Sequence, residues 1–390
     1  MPDAYHSQLI SPARAAAFDI LFRVQRGGYA SDLLLERTVE LDSRDAGLTA
    51  ELVFGCLRYQ GQLDFLIDFY AGRPAKTEPG VRIALWMGIY QLRYLDRIPV
   101  HAAVSESVEL AKQGRGKFSA GFVNAVLRKV TRDAVEWPND SVRFSCPAWL
   151  LTKWKAEFGA ETAHAIASDA LNQPQLYVRS AGPAPNLEPT SVRGGYRVTN
   201  GVVPIGARVQ DIGSQSIVPL LSLEAGQTFL DLCAAPGNKT SQALESGVHA
   251  TACDLHLSRL QESTLECDRL VLDASKPLPF ITNFDAILVD APCSGTGTLA
   301  RNPEIKWRLQ SSNLLELHTL QVKILANALR HIRPSGRVVY STCSLEREEN
   351  HTVVKEVLAA HPGFKLAGEM QRLPGREPGD GFYAAVITSG

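Results

Sequence analysis

The sequence lacks the features that export a chain or anchor it in a membrane. The first ten residues, MPDAYHSQLI, contain no basic stretch followed by an apolar one, and no run of about 18 apolar residues occurs elsewhere. With 390 residues, 45% of them hydrophobic and 21% charged, the composition is that of a globular chain of two or three domains. We therefore expect a cytoplasmic protein without a membrane partner.

No C-x-x-C pair occurs among the seven cysteines, and their number is odd. Paired spacing is typical of zinc sites, and an even number is typical of a disulfide framework. We expect reduced thiols and no metal ion. A single cysteine is usually a small buried side chain, but Cys293 and Cys343 each follow an apolar run, a position that favours a functional role.

The chain has almost equal numbers of basic and acidic residues, 40 and 41, so its net charge is −1. This excludes a uniformly basic nucleic-acid binder, so any such role depends on local patches. Residues 112–132 form one patch without an acid, which is either a phosphate-binding surface or a solvated helix face. Its cations are Lys112, Arg115, Lys117, Arg128, Lys129 and Arg132. A second candidate strip contains Arg301, Lys306, Trp307 and Arg308, with Trp307 favoured as a core residue.

Strand-like alternation is absent from the first 132 residues. Apolar residues recur there every three or four positions, as at Leu85, Ile89 and Leu92, which predicts an all-α region of about five to seven helices. From residue 226 onward, short apolar runs alternate with helical segments, a pattern typical of right-handed βαβ units and a parallel sheet. We predict three regions, which are an all-α domain (1–135), a helical connector with a small RNA-contacting subdomain (136–210), and an α/β Rossmann-like domain (211–390).

Five apolar runs are the predicted strands of the sheet. They cover residues 228–233, 249–254, 269–273, 284–290 and 336–342. A long apolar helix over 312–332 is predicted to end at the PSG sequence just before the fifth run, as a crossover helix should. Since ligands of such sheets bind beyond the carboxyl ends of the strands, the residues that follow each run are the candidate site.

The first run leads into DLCAAPGNKT at residues 231–240. Small residues let the backbone approach a ligand closely, and the following helix start favours electronegative groups. The stretch matches neither the GxGxxG fingerprint nor the phosphate-binding GxxxxGK[ST] loop. A tight strand-to-helix turn without a ligand is the alternative.

The second and third runs end in acids, Asp254 and Asp273. Each by itself reads as a loop acid or a helix cap, but a carboxylate after the second strand typically binds ribose hydroxyls. Their recurrence at successive strand ends favours an adenosine-containing cofactor. The fourth run ends at Asp290, with Cys293 three residues later, and Cys343 follows the fifth run.

Taken in order, DLCAAPGNKT, DAPCSGTG and STCSLEREEN resemble the Sun/Fmu family of RNA cytosine-5 methyltransferases. RNPEIKWR (301–308) and DGFYA (380–384) match the family as well. The helical first part, through PARAAAFDILF, HAAVSESVELAK and GFVNAVLRKV, resembles the RNA-binding antitermination factor NusB. This combination is typical of bacterial enzymes that methylate a cytosine of 16S ribosomal RNA.

The resemblance implies a NusB-like all-α domain followed by a Rossmann-like methyltransferase domain that uses S-adenosylmethionine. It implies that the partner is 16S ribosomal RNA, either free or in an assembling small subunit. It also implies that the protein is a monomer. The implied cofactor-binding residues are Cys233, Ala234, Ala235, Pro236, Gly237, Asn238, Lys239, Asp254, Asp273 and Asp290. Asn238 replaces the usual glycine of the family, and asparagine tolerates a left-handed backbone better than most residues.

The catalytic residues implied by the family are Cys343, Cys293, Asp290 and Lys239. C5 of cytosine is a poor nucleophile until a thiolate adds to C6, so Cys343 would attack and Cys293 would assist product release. Asp290 would contact N3 and N4 of the base, or alternatively cap its turn. A helix predicted after Cys343 would favour the thiolate, but a dipole worth about 1 kcal/mol shifts a pKa by only about 0.7 unit. Lys239 is therefore expected to help.

Several other functions remain open at the level of sequence. Methylation of exocyclic nitrogens or protein amides normally uses an aromatic residue where this chain has Cys293, and DNA cytosine methyltransferases use the Pro-Cys thiol itself as the nucleophile. Cys343 after Thr342 favours RNA. A methyltransferase acting on another RNA, such as tRNA, is a further alternative. So is a catalytically inactive NusB-like RNA-binding or ribosome assembly factor.

Overall fold

The computed structural model describes residues 10–113, 119–261 and 265–390. By contacts the chain divides into two compact units, Met1–Asn172 with Leu299–Arg308, and Gln173–Thr298 with Leu309–Gly390. In the described ranges no helix is long and apolar enough to cross a membrane. The domain boundaries proposed at 135 and 210 stay predictions beside this division.

The first unit is helical throughout its described residues. Its elements are α1 (Pro12–Val24), α2 (Ala30–Thr38), α3 (Ser43–Arg58), α4 (Gln60–Ala71), α5 (Pro79–Tyr94), α6 (Val100–Gln113), α7 (Ser119–Leu127), α8 (Asp140–Arg143), α9 (Ala148–Phe158), α10 (Ala160–Asp169) and α14 (Ile305–Arg308). The described part of the first 132 residues thus contains seven helices, which confirms the all-α prediction.

Helix α5 forms the centre of the first unit. Pro79 starts it with a pre-set backbone angle, and nearly every residue from Ile83 to Gln91 is buried, so the helix packs on all sides rather than along one stripe. Asp42 caps the start of helix α3, since its carboxylate accepts a hydrogen bond from the backbone NH of Asp45 at 2.8 Å.

The segment Leu299–Arg308 is separated in sequence from the rest of the first unit but packs within it. The Arg58 guanidinium donates to the carbonyl of Ala300, and Lys306 Nζ donates back to the Arg58 carbonyl at 2.9 Å. Trp307 Nε1 donates to the Leu57 carbonyl at 2.9 Å. These bonds anchor the segment to the end of α3.

The second unit contains two sheets. Their strands are β1 (Tyr177–Arg179), β2 (Leu187–Pro189), β3 (Gly195–Val198), β4 (Arg208–Val209), β5 (Thr228–Asp231), β6 (His249–Asp254), β7 (Asp268–Val271), β8 (Phe284–Asp290), β9 (Ile332–Thr342), β10 (Phe364–Arg372) and β11 (Phe382–Ser389). The helices of this unit are α11 (Ile212–Gln215), α12 (Asn238–Leu244), α13 (Leu257–Gln261), α15 (Ser311–Leu329) and α16 (His351–Ala360). Short 3-10 turns cover Val218–Leu221 and Thr296–Thr298.

The larger sheet has the strand order β10-β11-β9-β8-β5-β6-β7. Strands β5 to β9 run parallel, which confirms the predicted parallel sheet, whereas β10 and β11 pair antiparallel at one edge and were not predicted. The chain first moves outward from β5 through β6 to β7 and then crosses to β8 on the other side. The switch point between β5 and β8 is where an open sheet of this kind binds its ligand.

Side chains of the sheet alternate between two buried faces. In β8, Ile287 and Val289 pack with helices on one face, while Ala286 and Leu288 pack on the other. Burial on both faces is the reason that these strands are continuous apolar runs in the sequence.

The sequence predicted that PSG at 334–336 separates helix α15 from the next strand, but in the structure PSG lies within strand β9. Phe284 pairs with Ile332, whereas Ala286 pairs with Arg337, so residues 333–336 bulge out of the ladder. A bulge accommodates a proline, which cannot donate to the ladder, without ending the strand. Strand β9 therefore begins at Ile332, and α15 already ends at Leu329.

The four-stranded sheet has the order β2-β3-β1-β4 and is antiparallel. Its small core contains Val178, Leu187 and Val198. These strands lie in the part of the sequence where only a connector and a small subdomain were predicted. Each has four residues or fewer, which is too short for a clear alternating pattern.

Candidate active site

The loop between β5 and α12 connects the sheet to the first helix of the site. Gly237, the residue before the helix, has a φ of +103°, in the left-handed region that favours glycine. Asn238 is instead the first residue of α12. The replacement of glycine by asparagine at 238 therefore does not require the left-handed tolerance that we had considered.

A cavity of about 260 Å³ opens at the carboxyl ends of β5, β6 and β8, inside the second unit. Its walls combine aliphatic side chains with three carboxylates. Among the predicted cofactor residues it is lined by Cys233, Ala235, Asp254, Asp273 and Asp290, with Leu272, Leu320 and Ile324 among the apolar residues. Ala234, Pro236, Gly237, Asn238 and Lys239 belong to the same loop and helix start but do not line the cavity.

Two of the lining carboxylates are oriented by backbone NH groups. Asp254 accepts hydrogen bonds from the NH of Ala235 at 3.1 Å and of His256 at 3.0 Å, so it also holds the β5–α12 loop. Asp273 accepts from the hydroxyl and the NH of Ser275, and these bonds lower the pKa of its carboxyl. Both groups are thus hydrogen-bond acceptors fixed at the cavity wall.

The two cysteines singled out by the sequence lie side by side. Asp290 of β8 pairs with Ser341 of β9, so the loops that follow these strands leave the sheet together. The Sγ atoms of Cys293 and Cys343 are 3.4 Å apart, and both side chains are half-buried. The hydrogen bond with Cys343 and burial, followed by the charges of Cys343 and Glu349, raise the pKa of Cys293 well above its ordinary value. The raised pKa favours the protonated thiol at Cys293, and either sulfur can be the donor in this contact.

An ion pair lies beside the two thiols. Lys239 Nζ donates to Oδ2 of Asp290 at 2.6 Å, and the Ser341 hydroxyl donates to Oδ1 at 2.8 Å. Burial lowers the pKa of Lys239, but Asp290 and then Cys343 raise it, and the net result lies above the ordinary value. Lys239 thus places a permanent positive charge within electrostatic reach of the Cys343 sulfur. The structure brings together all four predicted catalytic residues.

The helix predicted directly after Cys343 is absent, because α16 begins only at His351. Side chains in the intervening turns bond to the backbone and to one another. The Ser344 hydroxyl accepts from the NH of Glu346, and Asn350 Nδ2 donates to the Ser344 carbonyl. Such bonds compete with a helical ladder, and the helix-dipole contribution to the thiolate is therefore removed.

Glu349 was not singled out in the sequence, yet it contacts the residue that follows each of the two cysteines. Its carboxylate is fully buried and bonds to Ser294 in the Cys293 loop and to Ser344 in the Cys343 loop. In the sequence this glutamate is one of several acids in LEREEN, and only the tertiary structure distinguishes it from Glu346 and Glu348.

Gly297 is a second residue that the sequence did not single out. A Cβ atom there would lie 2.3 Å from the carbonyl oxygen of Gly381. The NH of Gly297 donates to the Cys343 carbonyl at 2.8 Å, and the NH of Gly381 donates to the Gly297 carbonyl at 2.8 Å. The DAPCSGTG, STCS and DGFYA motifs thus meet through their backbones, which requires a residue without a side chain.

The basic patch at 112–132 has protein partners wherever it is described. Lys112 pairs with Glu109, Arg128 bonds to Asn124, Lys129 to the Tyr70 carbonyl and Arg132 to Asp96. Arg115 and Lys117 lie outside the described residues. Phosphate binding by this patch stays a prediction.

The structure corrects the strip at 301–308 for three of its four residues, because Lys306, Trp307 and Arg308 donate to backbone carbonyls of the first unit. RNA binding by Arg301 stays a prediction. Lys306 is only 1% exposed, and burial lowers its pKa to about 8. Arg308 Nη2 donates to the Val24 carbonyl at 2.6 Å, and Trp307 packs and bonds near Leu57. The preference for Trp307 as a packing residue rather than a base-stacking one agrees with these contacts.

Within residues 10–113, 119–261 and 265–390, no group of three or more His, Cys, Asp or Glu side chains has the arrangement of a metal site.

Comparison with known proteins adds family and fold. Residues 218–388 match the family described as 16S rRNA methyltransferase RsmB/F, and residues 11–132 match the NusB family. The chain is 33% identical to the ribosomal RNA small subunit methyltransferase B of Cronobacter sakazakii, over 93% of this chain and 95% of that protein. It is also 33% identical to the Vibrio cholerae protein of the same name, over 97% and 98%, and 31% identical to the probable one of Bacillus subtilis, over 90% and 89%.

Two solved structures share the fold. The crystal structure of PH0851 aligns with a TM-score of 0.79 at 22% identity, covering 97% of this chain and 99% of that chain. The structure of NSun6 from Pyrococcus horikoshii with SFG aligns with a TM-score of 0.56 at 16% identity, covering 62% and 98%. The predicted fold class, a NusB-like helical domain and an α/β methyltransferase domain, is confirmed.

Proposed function

The chain belongs to the family of ribosomal RNA small subunit methyltransferase B, and from this premise we propose that it methylates C5 of a cytosine in 16S ribosomal RNA. S-Adenosylmethionine is the proposed methyl donor, and a covalent bond between Cys343 and C6 of the base is the proposed intermediate. The single observation that supports this chemistry is the pair of thiols 3.4 Å apart at the ends of adjacent parallel strands.

The cavity beyond β5 and β6 suits the proposed cofactor. Its aliphatic walls fit an adenine ring, while the fixed carboxylates of Asp254 and Asp273 fit hydroxyl and ammonium donors. When bound, the cofactor supplies an electrophilic methyl group attached to a sulfonium. Asp290 lines this cavity and also bonds to Lys239, so it joins the proposed cofactor and base sites.

The four catalytic candidates have distinct proposed roles. The Cys343 sulfur attacks C6, the C5–C6 double bond opens, and C5 gains the electron density that it needs to take up a methyl group. Lys239 stabilises the anionic sulfur before attack and after release. The two carboxylate oxygens of Asp290 accept from Lys239 and Ser341, so Asp290 orients Lys239. Each oxygen can accept a second hydrogen bond, and the proposed donor is the amino group of the base.

Cys293 has its proposed role at the end of the reaction. Solvent water takes the C5 proton, the electron pair of that C–H bond re-forms the C5–C6 double bond, and the bond between Cys343 and C6 breaks with its electron pair returning to sulfur. The Cys293 thiol, 3.4 Å from that sulfur, donates a hydrogen bond to the departing thiolate. Restoring the aromatic ring and stabilising the sulfur both favour release of the RNA.

The choice of RNA follows from the relatives, whose names specify ribosomal RNA of the small subunit. The NusB-like unit is the proposed RNA-binding partner of the catalytic unit. Methylation of tRNA and a non-catalytic role in ribosome assembly are the alternatives that the experiments below separate.

Trapping with 5-azacytidine tests the nucleophile. The analogue has nitrogen at position 5, so an enzyme that attacks C6 stays attached to the RNA. We expect 16S ribosomal RNA containing the analogue to form a denaturation-resistant adduct with the wild-type enzyme and S-adenosylmethionine, measured as a shifted band on a denaturing gel. Cys343→Ser is expected to abolish the adduct, and Cys267→Ala, a half-buried thiol outside the site, to retain it.

An adduct that survives Cys343→Ser but is lost in Cys293→Ser would reverse the two assignments. A preference for tRNA over 16S ribosomal RNA in the same assay would replace the proposed substrate. RNA binding without an adduct and without cofactor binding on titration would instead support the non-catalytic alternative.

Substitution of the second thiol tests product release. Cys293→Ala is expected to form a stalled adduct with unmodified RNA, because the departing sulfur of Cys343 loses its hydrogen-bond donor. The measurement is the amount of covalent complex over time, with methyl transfer to RNA followed in parallel. Normal turnover with no accumulated complex would remove Cys293 from the mechanism.

A further inference from the structure

Glu349 is a buried acid whose charge has no ion-pair partner. The residue is fully buried between the loops that follow β8 and β9. Within the described residues its carboxylate bonds only to neutral donors, and none of them is a lysine, arginine or histidine. A buried carboxylate without a cation is costly to fold, so its position calls for an explanation beyond stability.

The hydrogen bonds of Glu349 join the two cysteine loops. Oε1 accepts from the NH of Ser294 at 2.8 Å and from Gln321 Nε2 at 3.0 Å. Oε2 accepts from the hydroxyls of Ser294 and Ser344, each of which immediately follows one of the two cysteines. One carboxylate therefore holds the residue after Cys293 against the residue after Cys343.

The charge of Glu349 also acts on the thiol of Cys293. The hydrogen bond with Cys343 and burial are the larger causes that raise the pKa of Cys293, and the Glu349 charge adds to them. Other titratable groups around this pair include Tyr340, whose hydroxyl donates to the Glu349 carbonyl at 2.6 Å, and Lys239 with its partner Asp290. Lys239, paired with Asp290, thus acts on Cys343, while the negative charge of Glu349 acts on Cys293.

We propose that Glu349 is a positioning residue of the methyltransferase reaction, which fixes the Cys293 loop against the Cys343 loop and so keeps the Cys293 thiol beside the Cys343 sulfur. This inference rests on the proposed function, because it assigns Cys293 to the release step. Without the carboxylate, Ser294 and Ser344 lose their common acceptor, and Cys293 loses the negative charge that disfavours its ionisation. Two neighbouring thiols would then compete for the anionic state.

Glu349→Gln tests the proposal with a nearly isosteric side chain. The first readout is alkylation of each cysteine by iodoacetamide as a function of pH, followed by peptide mass spectrometry on the free enzyme. Loss of the negative charge is expected to move the midpoint for Cys293 to lower pH. The second readout is steady-state methylation, in which kcat is expected to fall at least about tenfold with KM for RNA little changed.

Two matched variants separate the charge from the positioning. Glu346→Gln removes an equally buried carboxylate from the same loop, one that is not among the charges acting on Cys293, and is expected to leave the alkylation midpoint unchanged. Ser294→Ala keeps the charge but removes one link to the Cys293 loop, so the midpoint should stay while kcat falls. Glu349→Asp is expected to recover the midpoint and part of kcat.

A folded Glu349→Gln enzyme with the wild-type midpoint and kcat would overturn the proposal. Thermal unfolding shows whether the Glu349→Gln variant folds. If it does not fold, a wild-type kcat in both Ser294→Ala and Glu349→Asp also overturns the proposal. Failure of the proposed function has a different signature. In that case the wild-type enzyme forms no adduct with RNA containing 5-azacytidine, while alkylation of Cys293 still reports the effect of Glu349.

Discussion

At the scale of single residues, Asp231 links the chemistry of the site to the stability of the protein. It ends β5, is 1% exposed, and accepts a hydrogen bond from the Thr240 hydroxyl at 2.7 Å. Burial raises the pKa of its carboxyl to about 7, with a further contribution from the charge of Asp290. The position thus contains an acid that the fold prefers to keep neutral.

The raised pKa predicts a pH-dependent stability. The folded state holds the proton of Asp231 more tightly than the unfolded state, in which the pKa is about 3.9. The contribution of this residue to the free energy of unfolding is therefore complete below about pH 4 and is lost as pH rises towards 7. Asp231→Asn should remove this loss, so that the variant gains up to about 4 kcal/mol relative to wild type between those pH values.

Urea unfolding at a series of pH values measures the difference between the two proteins. Asp273→Asn is the matched control, since hydrogen bonds from Ser275 lower the pKa of that carboxyl and the sign of its pH dependence is opposite. A constant difference between wild type and Asp231→Asn from pH 4 to 7 would contradict the neutral state of Asp231.

At the scale of structural elements, the loop after β8 is held by backbone contacts that leave no room for a side chain. A Cβ on Gly297 would lie 2.3 Å from the Gly381 carbonyl and 2.8 Å from the Cys343 carbonyl, so backbone would have to move. Gly297→Ala is expected to destabilise the protein by about 1–3 kcal/mol and to slow adduct formation, because one of the two carbonyls that must move belongs to Cys343. Thermal unfolding and the 5-azacytidine assay measure the two effects.

Gly368→Ala is the control for this substitution. Gly368 lies in β10 and has no atom within 4 Å of the added Cβ. Equal effects of the two alanines would show that loss of backbone freedom, rather than the close approach at Gly297, is responsible.

At the scale of the whole molecule, the segment Leu299–Arg308 follows β8 in sequence but shares its contacts with the helical unit. Its amide exchange is therefore expected to follow the stability of that unit. Leu57→Ala removes a fully buried side chain at the end of α3, next to the carbonyl that Trp307 binds, and should destabilise the unit by about 2–5 kcal/mol. Hydrogen exchange should then increase over α3 and 299–308 while β8 keeps its protection.

Leu230→Ala is the reciprocal variant, because Leu230 is fully buried in the large sheet. It is expected to increase exchange in β5 and β8 and to leave 299–308 unchanged. Exchange of 299–308 that follows β8 in both variants would refute the assignment of the segment to the helical unit.

The sequence by itself determined the features that depend on local periodicity. Three-to-four spacing over the first 132 residues predicted the helices, and two-sided burial of parallel strands produced the apolar runs of β5, β6 and β8. Motifs at the strand ends identified Asp290, Cys293 and Cys343, the family resemblance implied Lys239, and the structure brings these four residues together. Strand ends of a parallel sheet meet at one edge, so order along the chain was enough to predict proximity.

Only the tertiary structure decided the features that depend on distant partners. The turn after Cys343 is held by the loop after β8, where the Thr296 hydroxyl accepts from the NH of Leu345 and the NH of Gly297 donates to the Cys343 carbonyl. The PSG bulge lies where β9 pairs with β8. The burial of Lys306 and the bridging role of Glu349 follow from residues far away in the chain. A sequence states which charges exist, whereas desolvation and hydrogen bonding, which decide what each charge does, arise only when the chain is folded.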